Sequence, residues 1–379
     1  MSEPRSSLAT YVRLWVLAII SRETQGFSGL AQDEIRARLC GPIGAVLAAA
    51  FVFPRPALFA AALLFRVAAI ARKLPLVHDS QWWGLQADLV LLCAILLHVC
   101  RAPRTALASL PHQEAAALID ATSLAVRAQM AIFYSAAAFW KLNDGFLDPR
   151  YSCAPVFVLQ MLDHLSFEPS PAALAALAAM APAVVLAIEF AVPLALLLSS
   201  RAGILAALTL HSAIALAPPP NNIACFGVAT CTRLFLLAPT PITETIEGVT
   251  RRPAFGALIA LFAAAVTAAT QARHPPEAAI DFAVTHLTVI AGIYSVALLG
   301  GAGRDRAGRG GMGCGWLRSL GAGGWSAVAA AAVYAYALPM LGSDMGMPNM
   351  FSNLRMHGGS NHLLLPTGLM HRVRPPRPR

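Results

Sequence analysis

Four polar residues interrupt an otherwise apolar stretch at intervals of seven: Asp120, Arg127, Tyr134 and Lys141. Seven residues turn an α-helix through about 700°, so the set drifts only about 20° per step and forms one stripe, each member about 10 Å beyond the last. A charge inside an apolar run costs roughly 2.5–3.5 kcal/mol on insertion scales, so each needs a partner or a task. Lys141 closes the stripe in FYSAAAFWKLNDGF. Kept dry enough to lose its proton, it would serve as a general base. At a helix end beside Trp140 it could equally snorkel to lipid headgroups. Of the 28 basic residues only Lys73 and Lys141 are lysines. Arginine cannot be deprotonated in a protein, so a lysine here suits a base.

Further candidates lie downstream. Glu189 sits between Pro182 and Pro193, His211 in the middle of the next apolar run, and Arg233 in the one after. Arg127, Tyr134, Glu189, Arg233 and Asn222 are candidates for binding a ligand, and Lys141 and His211 for acting on it. The plainer alternatives are an Arg233–Glu189 or Arg127–Glu189 ion pair that only holds helices together, and a His211 that only bridges helices. Asp88, His98 and His286 have weaker claims, being near the predicted span ends. Asn222 belongs to LAPPPNNIACFG, which reads as a surface hairpin turn or, at membrane depth, as non-helical backbone facing a cavity. The stretch 345–366 crowds Asn349, Ser352, Asn353, Arg355, His357, Ser360, Asn361 and His362 among Met, Phe and Leu, as a flap over a bundle mouth would. Two histidines without a facing carboxylate do not make a metal site.

These residues need long apolar elements to hold them. The chain of 379 residues is 57% hydrophobic and 12% charged, where a soluble domain carries about 25% charge. That excludes a disordered chain, a secreted disulfide mini-protein and an ordinary cytosolic enzyme. The expected fold is an all-α, multi-pass transmembrane bundle of eight to ten membrane segments, some short or broken. Pro54-Arg55-Pro56 divides the first region, 43–70, into two short helices or a re-entrant hairpin. Spans follow near 84–100, 115–140, 172–198, 202–217, 223–238, 254–270, 280–300 and 324–341, with Trp82-Trp83 as an interfacial pair before the first. The predicted organisation is an N-terminal interfacial segment over 1–42, the bundle over 43–300, a Gly/Arg-rich loop over 301–322, a last helix over 323–342, and a polar flap and basic tail over 343–379.

The net charge of +9 comes from loops and tail. It suits lipid headgroups better than a nucleic-acid surface, which needs basic residues on one soluble face, so no nucleic-acid partner is expected. The expected partners are therefore membrane lipids. Arg-rich segments on both sides of the last helix leave the orientation unassigned. Seven cysteines, an odd number without a CxxC, argue against a disulfide framework or zinc site. The apolar patch Tyr11–Ile20 is broken by Arg13 and lacks a small-residue cleavage site, so an interfacial helix is expected rather than a signal peptide.

FYSAAAFWKLNDGFLDP resembles the helix-end signature of the HTTM family, the membrane-domain family of the vitamin K-dependent gamma-carboxylases. EFAVPLALLL, TLHSAIAL and NNIACFG follow in the order of that family's Glu-bearing helix, His-bearing helix and Asn-containing stretch. The likeness covers roughly 115–240. It implies a reduced isoprenoid quinone bound in the bundle, with Lys141 at the position of the lysine that deprotonates it before oxidation and epoxidation. Phe146 stands where the family has Trp, and HDSQWWGLQADL departs from the family's Asn-His pattern. The large peptide-recognising region of the carboxylases is not expected, so quinone or lipid chemistry is implied rather than peptide carboxylation. A non-catalytic transporter and a structural membrane protein are the alternatives from other classes.

Overall fold

The computed structural model describes residues 7–24, 41–72, 79–105, 107–108, 110–214, 216–217, 227, 230, 232–237, 317, 320–340 and 362–365. The expected spans 254–270 and 280–300, most of 223–238, the loop 301–316, and Asn222 and His286 lie outside these residues. Among the described residues the protein is an all-α bundle without a named strand.

The helices are α1 (Ser7–Thr24), α2 (Pro42–Val52), α3 (Pro56–Ala71), α4 (Asp79–Arg101), α5 (His112–Trp140), the single turn α6 (Asp144–Leu147), α7 (Ala154–His164), α8 (Pro171–Leu198) and α9 (Ser200–Ile214). A short 3-10 turn follows at Phe235–Leu237. Next comes α10 (Ala322–Ala332), which runs through a π-helical turn, Val333–Ala337, into Leu338–Met340. Proline sets several boundaries. Pro42, Pro56 and Pro171 open α2, α3 and α8, where a missing N–H costs nothing. The Pro54-Arg55-Pro56 break separates α2 from α3 as expected. Ser170 caps α8 by accepting from Ala173 N–H.

The middle helix is α5. It packs against α1, α4, α8, α10 and the 3-10 turn. Trp83 stacks on Phe133 with centroids 4.5 Å apart, and Tyr334 of the π turn meets Phe133 edge-on at 6.0 Å. Trp140 donates its indole N–H to Ala335 O, 2.9 Å away, so the π turn also holds the end of α5. Of the Trp82-Trp83 pair, Trp83 is buried and Trp82 stays partly exposed. The helix α4 starts at Asp79, about one turn earlier than its apolar run, and turns Trp83 into the core.

The N-terminal segment packs inward as well: Tyr11, Val12, Trp15 and Val16 are fully buried, so one face of α1 belongs to the bundle core. Trp15 packs edge-on against Phe59 at 5.3 Å. Arg13, whose charge suggested an interfacial position, donates to Phe51 O at the end of α2.

Three helical stretches are long and apolar enough to cross a membrane: Gln81–Arg101, Gln113–Trp140 and Pro171–Leu198. The last two have 28 residues each, about 42 Å of helix against a hydrocarbon core of about 30 Å. Along α8, Leu177, Met180, Val184, Ile188, Leu194 and Leu198 are exposed. Their spacing by threes, fours and sixes keeps them mostly on one face, an apolar stripe turned away from the protein.

Candidate functional site

Lys141 ends α5 and Glu189 lies in α8, between two prolines. The Lys141 ammonium sits astride the carboxylate, 2.9 Å from both Oε1 and Oε2. The lysine side chain is 7% exposed and that of the glutamate 14%, so water screens the pair poorly. The phenyl ring of Phe146 lies 5.8 Å from Nζ. Among the described residues, Oε1 accepts the aligned hydrogen bond and Oε2 receives none. Oε2 therefore keeps an acceptor position inside a half-buried ion pair.

Local sequence explains the placement. The helix α5 stops at Trp140 because Asn143 starts a new turn: its Oδ1 accepts from Phe146 N–H at 2.9 Å, and its Nδ2 donates to Trp140 O at 2.8 Å. Lys141 is left at the cap, with its backbone N–H on Ala138 O. Burial pushes the nearby Cys153 thiol above its ordinary value, and the Lys141 charge pulls the other way. That favours the neutral thiol over the thiolate.

Glu189 pairs with neither arginine proposed for it. Arg127 donates from Nε to Leu196 O at 2.6 Å and from Nη2 to Leu197 O at 3.3 Å. It caps carbonyls that the end of α8 leaves open. Since α5 and α8 run antiparallel, Arg127 meets the last turn of α8, and Lys141, further along α5, meets Glu189, earlier in α8. Asp120, the first member of the stripe, is exposed.

Tyr134 and His211 form a second buried pair. Tyr134 Oη and His211 Nε2 share a hydrogen bond of 2.6 Å between α5 and α9. Tyr134 lies two turns before Lys141, about 10 Å along the axis.

Arg233 belongs elsewhere. Its Nη2 binds Asp88 at 2.8 Å to Oδ1 and 2.6 Å to Oδ2. Arg66 Nε reaches the same carboxylate at 2.9 Å, and Trp15 Nε1 at 3.0 Å. Asp88 is 0% exposed. A Cβ on Gly84 would lie 3.2 Å from the Arg233 guanidinium and 3.3 Å from that of Arg66, so glycine there leaves room for both arginines. Asp88 was assigned to a span end because its apolar run begins at 84. With α4 starting at Asp79, it lies more than two turns inside. Arg66 carried no signal beyond being a charge in an apolar run.

One further part of the site comes from the far end of the chain. Leu363 N–H donates to Leu142 O at 2.9 Å, and His362 bridges to Asn143 and reaches Phe139 O at 2.9 Å. The flap expectation over 345–366 is thereby described only at 362–365. Among the described residues no group of three or more His, Cys, Asp or Glu is placed to hold a metal ion.

Compared with known proteins, the chain matches no family model, no curated protein and no solved structure. What the site can do follows from its own geometry. It holds a paired cation and carboxylate at the end of a long apolar helix, and one buried carboxylate oxygen accepts no aligned hydrogen bond among the described residues.

Proposed function

We propose that the protein is a multi-pass integral membrane protein of HTTM type whose Lys141–Glu189 pair takes a proton from an apolar hydroxyl ligand. A reduced isoprenoid quinone is the ligand class that the resemblance implies. The membrane reading is supported by three helices long enough to cross a bilayer and by the outward apolar stripe of α8. An exposed apolar face of that length needs lipid or a partner to cover it.

The observation that carries the site reading is Glu189 Oε2, an acceptor beside the Lys141 ammonium without a hydrogen bond of its own among the described residues. Neighbouring atoms close that oxygen off, so a ligand hydroxyl reaches it only when the surrounding side chains move aside. Lys141 is engaged by the carboxylate, so the base proposed here is Glu189 Oε2, where the sequence pointed to Lys141. Glu189 accepts the proton, and the Lys141 ammonium holds the anion left behind, worth more in this poorly hydrated place than in water. The buried Phe146 ring lies 5.8 Å from the same ammonium and keeps that side of it dry. Once bound, a reduced quinone would supply oxidation of its anion by dioxygen.

A structural membrane protein is the second reading. It is favoured because the buried charges pair with one another: Asp88 with Arg66 and Arg233, Lys141 with Glu189. Mass spectrometry of lipid extracts from the detergent-purified protein separates the two. Under the first reading a quinone is enriched in the wild type with its oxidised or epoxidised product, and Glu189→Gln loses the product. Lys141→Arg, which keeps the counter-charge, retains the ligand. Absence of any enriched quinone from all three preparations sinks the first reading and leaves the second.

A further inference from the structure

His362 is 4% exposed, yet it sits in a segment near the end of the chain. Its ring lies over Phe139, with centroids 4.5 Å apart, and meets Trp140 edge-on at 5.8 Å. Its hydrogen bonds determine its tautomer. Phe139 O can only accept, so Nε2, 2.9 Å away, carries the proton. Nδ1 accepts two backbone N–H groups, from Leu364 at 3.1 Å and Leu365 at 3.2 Å. The imidazole thus folds the backbone after it into a turn and ties that turn to α5. Leu363 N–H on Leu142 O is a second tie, and Leu365 packs against the main core.

We propose that His362–Leu365 is a pH-sensitive latch on the Trp140–Asn143 turn, closed by neutral His362 and released when Nδ1 gains a proton. The chemistry is steric and electrostatic at once. A protonated Nδ1 can no longer accept from Leu364 and Leu365, and it would face two N–H dipoles pointing at it. Among the described residues, the ionisable groups on the elements packed around the imidazole are Lys141, held by Glu189, Asp144, exposed on α6, and Tyr336 of the π turn, whose ring lies 5.5 Å from that of Phe139. Burial lowers the affinity of His362 for a proton, and the Phe139 carbonyl opposes this in part. A histidine of lowered pKa stabilises the closed latch above its ordinary value near 6.5, and this contribution is lost as pH falls below it. The latch grips Phe139, Leu142 and Asn143, so its release loosens the turn that carries Lys141. That consequence rests on the function proposed above; the latch itself does not.

Hydrogen exchange of the full-length protein in detergent tests the latch, read by mass spectrometry on peptides covering 362–366 and corrected for the intrinsic pH dependence. Protection in the wild type should fall several-fold as pH drops from 7.5 to 5, through the ordinary imidazole value near 6.5. His362→Asn offers an oxygen to the same two N–H groups but gains no proton, so its protection should be the same at both pH values. Lys141→Arg should respond to pH as the wild type does. Protection of the wild type that does not change with pH, or an equal fall in His362→Asn, overturns the latch. Neither result bears on ligand binding at Glu189.

Discussion

Arg233 Nη2 lies within 2.8 Å of both carboxylate oxygens of Asp88, a residue 145 positions earlier in the chain. With Arg66 and Trp15 on the same carboxylate, one acid ties together α1, α3, α4 and the segment before the 3-10 turn. Removing one partner of a buried pair leaves the other charge uncompensated, which costs about 3–5 kcal/mol. Asp88→Asn should therefore lower the thermal unfolding temperature in detergent more than any change at the exposed Asp120. Replacing Asp88, Arg66 and Arg233 together with apolar residues of similar volume should recover much of the loss, because the desolvation penalty goes with the charges.

This cluster also shows where a reading of sequence stops. Helices α2 to α5 and α8 to α10 follow from apolar runs and proline positions, which are local signals. Pairing is not local. Glu189 could be seen to need a cation, but the sequence pointed to Arg127 or Arg233, and only the antiparallel packing of α5 on α8 brings Lys141 to it instead. The stripe from Arg127 to Lys141 was legible because helical periodicity is arithmetic. Asp88 was not, because a start at Asp79 instead of 84, five residues earlier, moves it from a helix end to the core. The docking of His362 on Phe139 links residues 223 positions apart and leaves no periodic trace.

Tyr134 and His211 form a pair whose coupling can be measured directly. Tyr134→Phe removes the hydroxyl 2.6 Å from His211 Nε2 and keeps the ring against Trp83. A buried polar atom deprived of its partner costs about 1–3 kcal/mol. His211→Leu should cost a similar amount, and the double variant less than the sum. Unfolding of the four proteins of the cycle gives the coupling. Additive costs would show that the 2.6 Å contact contributes nothing to stability.

The α8–α9 connection is tested by one methyl group. Ser199 alone joins the two helices, and Gly203 lies so close to α8 that an added Cβ would meet Leu196 Cα at 2.7 Å. Backbone on that side cannot step aside as a flexible side chain could. Gly203→Ala should thus destabilise by about 1–3 kcal/mol through overpacking, although alanine is the better helix former. Arg127 binds the carbonyl of the same Leu196. If α8 shifts, Arg127→Ala should then cost less in the Gly203→Ala background than in the wild type. A gain in unfolding temperature on Gly203→Ala would mean that the helices lie further apart.

The Lys141–Glu189 pair carries both functional readings, and exchanging its charges distinguishes stability from chemistry. Lys141→Glu alone sets two carboxylates together at a poorly hydrated position, and Glu189→Lys alone sets two ammonium groups there. Each should destabilise by about 3–5 kcal/mol, as a broken buried pair does. The double exchange restores an ion pair, and the coupling should return a large part of that loss in thermal unfolding. It does not restore the surroundings. The carboxylate would then sit at the end of α5, near Phe146, and the ammonium would sit in the middle of α8 between Pro182 and Pro193. A pair that only holds α5 to α8 tolerates this exchange, with stability and bound lipid both recovered. A pair whose carboxylate must accept a proton from a ligand at one place does not. Under the proposed function the exchanged protein is stable, and its extracted lipid contains no oxidised quinone.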